Sequence, residues 1–78
     1  MKVSYKKLWI KLAENEMSKA KMRELTGISS GTLTKLNKGE EVSMSVLLRI
    51  CDAFKCDIGD ICEVVKPKVD IHRATKNM

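Results

Sequence analysis

Cys51, Cys56 and Cys62, with the single histidine His72, are the side chains in this chain best suited to covalent or metal chemistry. Three thiols spaced five and six residues apart match no zinc-ligand pattern. Cys51 and Cys62 read instead as core residues, since a free cysteine packs as a small hydrophobe. His72 follows Pro67 and reads as an exposed tail residue. No nucleophile–base pair, phosphate-cradling loop or metal cluster is legible, so neither catalysis nor a cofactor is expected. A different set stands out in the middle of the chain: Ser30, Gly31, Thr34, Lys35 and Asn37, with Lys38 following. It offers hydroxyls, an amide and cations, and it contains no acid. The chemistry open to such a set is hydrogen bonding and attraction to an anion.

Elements must hold that set together, and a repeated phrase locates them. "VSYKKL" at 3–8, "MSKAKM" at 17–22, "ISSGTL" at 28–33 and "VSMSVL" at 42–47 share an apolar residue, a serine and a second apolar residue four positions after the serine. "CDIGDI" at 56–61 repeats the outline with aspartate. A serine or aspartate N-cap accepts a hydrogen bond from an otherwise unpaired amide of the first helical turn. The flanking apolar pair is the hydrophobic staple, and Asp60 is placed to bond back to a cap at Asp57. Five such starts predict five short helices. The first carries Tyr5, Leu8, Trp9 and Leu12 on one face, with Asn15 expected to end it in the left-handed conformation. The second, about 19–26, is expected to bury Met22 and Leu25 and to end at Gly27. The third, about 30–37, buries Leu33 and Leu36 and ends at Gly39. The fourth, about 44–55, buries Leu47, Ile50, Cys51 and Phe54, and the fifth is a turn or two at 58–62. No strong strand is legible in 1–62. Val64-Val65 and Val69–Ile71 are β-prone, but Pro67 between them limits them to short edge strands.

The chain's 78 residues make one domain with a modest core. Charged residues make up 32% of it, and no apolar run approaches the ~20 residues that span a bilayer. Lys11 interrupts "LWIKLA", so the start does not read as a signal peptide, and a cytoplasmic location is expected. The formal charge of +5 is unevenly spread: +6 over 1–38, −4 over 39–63 and +3 over 64–78. A basic half suggests an anionic partner met by one side of the molecule.

Helices two and three are joined only by "GIS", a turn short enough to force a steep crossing, which is the helix-turn-helix arrangement. With Leu33 and Leu36 turned inward, the polar face of helix three faces out. An exposed helix of that kind fits the major groove of B-DNA, about 12 Å wide. At these residues the chain resembles a known family. "MRELTGISSGTLTKLNKGE" followed by "VSMSVLLRICDAF" looks like the Cro/CI-type helix-turn-helix of the XRE family, and "CDIGDI" is similar to a group of small stand-alone bacterial regulators within it. The resemblance covers roughly residues 4–65. It implies an all-α, compact five-helix, lambda-repressor-like domain over 1–65, with at most a short terminal β segment, and a basic tail over 66–78. By the same resemblance Ser30, Gly31, Thr34 and Lys35 would read bases, while Lys19, Ser29, Thr32, Asn37 and Lys38 would meet phosphates. Helix N-termini and lysines position a protein on the backbone without choosing sequence.

Two residues depart from the common pattern. Arg23 occupies a helix-two site that is usually a small alanine, so it must extend toward solvent or DNA. The reading face is thin, with Lys35 its only long cation and no arginine, glutamine or asparagine at its front. Gly31 costs the helix up to ~1 kcal/mol relative to alanine, so the expectation is either that close backbone approach to DNA compensates or that specificity is modest and leans on DNA shape. The function expected is a sequence-specific, DNA-binding transcriptional regulator, a repressor without catalysis, working as a homodimer on double-stranded DNA with no small-molecule effector. Residues 63–78 are the candidate dimer contact, the plain alternative being a disordered basic tail on phosphates. The competing class is an antitoxin or adaptor docking proteins through the acidic 40–63 stretch.

Overall fold

One fully buried side chain from each of five successive segments makes the centre of the molecule: Leu8, Met22, Leu36, Ile50 and Ile61. The computed structural model describes residues 2–66. In chain order it has β1 (Lys2–Ser4), α1 (Lys6–Glu14), α2 (Lys19–Thr26), α3 (Ser30–Lys38), α4 (Met44–Phe54), a single 3₁₀ turn (Ile58–Asp60) and β2 (Glu63–Val65). Tyr5, Leu12, Ile28, Cys51 and Cys62 complete the buried set, with Trp9, Met17, Leu33, Leu47 and Phe54 packed half-buried around it.

Three serines cap as their spacing predicts. Ser18, Ser29 and Ser43 accept from the amides of Lys21, Thr32 and Val46 at 3.0, 3.1 and 3.2 Å. Asp57 and Asp60 form the reciprocal capping box. The expected five-helix count is corrected, because the fifth start yields only the 3₁₀ turn beside four α-helices. Three residues between a cap at Asp57 and the turn's end at Ile61 leave no room for a second turn.

Ser4 is the cap that fails. It lies in β1, so α1 begins one residue later than the phrase predicts, with Tyr5 at the cap position and no side-chain cap bond. The Ser4 hydroxyl still accepts weakly from the Lys6 amide at 3.3 Å. The strand itself is a three-residue element in a stretch, 1–62, where no strong strand is legible. β1 pairs antiparallel with β2, Lys2 opposite Val65, Val3 opposite Val64 and Ser4 opposite Glu63. Val64-Val65 is thus a strand, as its composition suggests. Val69–Ile71, Pro67, His72 and the proposed tail from 67 onward lie outside the described residues.

Two finer expectations also change. Asn15 has φ −97°, and the left-handed residue after α1 is Glu16 at φ 51°. Leu25 is 54% exposed, because the inward stripe of α2 runs through Met22 and Thr26 instead. Burying Thr26 costs little, since its hydroxyl donates to the Met22 carbonyl at 2.8 Å. Tyr5 is buried, and its hydroxyl donates to the Glu40 carbonyl at 2.7 Å, tying the start of α1 to the segment after α3. Burial raises the Tyr5 pKa above the ordinary phenol value.

Candidate nucleic-acid interface

The turn between α2 and α3 is built by three residues with separate tasks. Gly27 takes φ +72°, a conformation that costs an L side chain ~1–2 kcal/mol, and its amide closes α2 on the Arg23 carbonyl at 2.9 Å. Ile28 is buried in the core. Ser29 starts α3 at once through its hydroxyl. No acid occupies the first turn of either α2 or α3. Both helix N-termini therefore keep their partial positive charge uncancelled at short range.

On α3, Leu36 is fully buried and Leu33 only half-buried, and between them they fix the helix rotation. Ser30, Gly31, Thr34, Lys35, Asn37 and Lys38 are all exposed, while Thr32 is half-buried. The Thr34 hydroxyl donates to the Ser30 carbonyl at 3.0 Å. Its proton is committed to the helix, so Thr34 presents an acceptor oxygen and a methyl group outward. Such a pair suits a cytosine or adenine amino group, or the thymine methyl. The Ser29 and Thr32 hydroxyls lie 3.0 Å apart and share one hydrogen. Gly31 is not forced by crowding, because a Cβ there would meet only the Ser29 hydroxyl at an ordinary 3.8 Å. Arg23 is exposed, as its position in α2 requires.

Lys19 and Asn37 are drawn together, and Trp9 joins them. The Lys19 ammonium sits 4.2 Å above the centre of the Trp9 ring and donates to Asn37 Oδ1 at 2.6 Å. One cation thus links α1, the start of α2 and the last turn of α3. With Oδ1 occupied, the Asn37 amide hydrogens remain to donate outward. Trp9 was legible only as part of an apolar helix face; its cation-facing role depends on a lysine ten residues on. Lys35 borders an open depression of about 370 Å³ with Lys2, Val3, Gly39, Glu40 and Glu41. Among the described residues neither Lys35 nor Lys38 forms an ion pair; the two pairs present are Lys7–Glu63 and Lys55–Asp52.

A family model of the Cro/C1-type helix-turn-helix DNA-binding domain matches residues 7–67. The chain belongs to that family. Its described elements agree: the matched span contains the capped pair α2–α3, the glycine turn between them and α4 packed against α2. The crystal structure of the transcriptional regulator VanUg is similar to this Cro/C1-type domain, with a TM-score of 0.81 and 47% sequence identity over 85% of this chain and 88% of that one. No curated protein matches the chain. No described helix is long and apolar enough to cross a membrane.

Proposed function

We propose that this Cro/C1-type domain is a transcriptional regulator that recognises a specific DNA sequence with α3 and acts as a repressor. The observation that carries the proposal is the acid-free outer face of α3, with no acid in the first turn of α2 or α3 and with lysines at Lys35 and Lys38. Ser30, Gly31, Thr34 and Lys35 face the base edges in this reading. Lys19, Ser29, Thr32, Asn37 and Lys38 hold the phosphates, with Lys19 and Asn37 acting as one unit. The similarity to a transcriptional regulator at 47% identity supports the regulatory role. In this reading repression follows from occupying promoter DNA. Two copies on two half-sites about one helical turn apart would give the affinity a single thin face lacks.

Selection of bound sequences from random duplex DNA, followed by affinity measurements on the enriched site, tests the proposal. An enriched palindrome is the expected result. Against that site Lys35→Ala should cost about 1–3 kcal/mol and relax preference at one position, whereas Lys38→Ala should weaken all sequences alike and lower the salt slope by about 1. Equal losses from both variants on selected and random DNA would remove Lys35 from the reading face. Absence of DNA binding even at low salt, with one stoichiometric protein partner recovered, would move the chain to the interaction-module class.

A further inference from the structure

Three α-helices end in the same backbone motif, and each end places a different pair of residues side by side along the chain. In a Schellman ending, the amide two residues past the helix bonds back to the carbonyl five positions earlier, and a contact between the side chains at those two positions frequently accompanies it. After α1 the bond runs from Met17 to Leu12 at 2.9 Å, after α3 from Glu40 to Lys35 at 2.9 Å, and after α4 from Cys56 to Cys51 at 3.1 Å. The left-handed residues that make these ends are Glu16, Gly39 and Lys55. The first pair is apolar and the second oppositely charged. The third consists of two thiols.

We propose that Cys51 and Cys56 form an oxidisable dithiol, which a low-molecular-weight disulfide converts to an intramolecular disulfide across the end of α4. The backbone bond from the Cys56 amide to the Cys51 carbonyl holds the two residues close together at the end of the helix. Their exposures differ in the way a sequential reaction requires. Cys56 is half-buried and reachable, whereas Cys51 lies behind it at 8% exposed. Burial, and next the neighbouring Cys56 thiol, push the Cys51 pKa up, which disfavours its thiolate, and the more exposed Cys56 makes the first attack. Cys62 is turned elsewhere, its thiol directed at the Ile58 carbonyl at 3.5 Å. All three cysteines are unbridged as described.

The reaction has two displacements. The Cys56 thiolate attacks one sulfur of the small disulfide RSSR, the S–S bond breaks, and RS⁻ leaves with the bonding pair and takes up a proton. Cys51 then gives its proton to solvent and attacks the Cys56 sulfur of the mixed disulfide, expelling the second RS⁻, which is protonated in turn. Two protein thiols lose two electrons and two protons, and RSSR becomes two RSH. The inference is independent of what α3 binds.

Incubating the reduced, folded chain with oxidised glutathione, then trapping remaining thiols by alkylation at acid pH, tests it. The expected product is a monomer lighter by two hydrogens, with one alkylated cysteine and full reversal by dithiothreitol. Trypsin cuts after Arg49 and Lys55, so it separates Cys51 from Cys56. A cross-linked peptide pair is expected from the parent and from Cys62→Ser, and none from Cys56→Ser. Circular dichroism before oxidation shows that each variant is folded. A glutathione adduct that stays on Cys56, a cross-link that vanishes in Cys62→Ser, or disulfide-linked dimers as the sole oxidised product would overturn the proposal.

Discussion

Lys19, proposed to meet a phosphate, illustrates how much of a side chain's behaviour is decided by what holds it. A free lysine on a helix start sweeps a wide volume and loses that freedom when it meets a phosphate. Here the ring of Trp9 and the oxygen of Asn37 hold the ammonium before DNA arrives. Replacing Trp9 by leucine keeps an apolar side chain on α1 and removes the ring. The expected result is a loss of about 0.5–1 kcal/mol in DNA affinity, the size of an exposed cation–π contact, equal on selected and random duplexes in a fluorescence anisotropy titration. A loss confined to the selected site would instead make Lys19 a base reader. Gly31 gives a sharper test of the same face. Alanine meets nothing closer than 3.8 Å in the free protein, so Gly31→Ala should raise stability in urea by about 0.5–1 kcal/mol. It should also weaken DNA binding, because in the proposed reading the added methyl stands where the groove would approach the backbone. Unchanged affinity would show that nothing comes close to that α-carbon. The exposed set Ser30, Thr34 and Lys35 was legible from helical spacing alone. The Trp9–Lys19–Asn37 link was not, because three helices contribute to it and only packing sets their separation.

At the scale of elements, what was legible is what the chain decides locally. Ser18, Ser29 and Ser43 cap as read, since a cap needs only its own turn. Ser4 does not, because pairing of β1 with a strand some sixty residues away overrides the local signal. Three residues are too few to show an alternating pattern, so β1 itself left no trace in the sequence. Helix ends divide the same way. Gly27 and Gly39 announce themselves by residue type, whereas Glu16 and Lys55 take positive φ without being glycine. Leu25 was misread because a three-residue spacing from Met22 looked like the apolar stripe, which in fact passes through a self-satisfied threonine. Lys55 offers a test. Its left-handed conformation costs about 1–2 kcal/mol, while glycine there costs about 0.5–1 kcal/mol in unfolded-chain entropy. Lys55→Gly should therefore stabilise the domain by about 0.5–1 kcal/mol in chemical denaturation. The Lys55–Asp52 pair it removes is more than four-fifths exposed on both sides and contributes little. A destabilised Lys55→Gly would mean that the lysine side chain holds the end of α4 in some other way.

For the whole molecule the matter is how one small domain would make the specific complex proposed for it. A two-stranded sheet is marginal by itself and presents unpaired backbone on its outer edges. In β2, Val64 is 56% exposed and Val65 46%, one on each face of the strand where the proposed dimer segment 63–78 begins. Pairing of two copies through this region would bury both valines and carry two α3 helices on one assembly. Sedimentation of the full chain should then give a dimer. Removing 66–78, or placing lysine at both Val64 and Val65, should shift it toward monomer. The monomeric forms should still bind a single half-site and should lose their preference for the palindrome over that half-site. The two alterations report on different parts of the segment. Loss of the dimer in the lysine variant alone would place the contact in β2, and loss in the deletion alone would place it beyond the strand. A dimer that survives both would assign self-association to another face, and a tail deletion that leaves the dimer intact while flattening the salt dependence would make 66–78 a phosphate-binding arm.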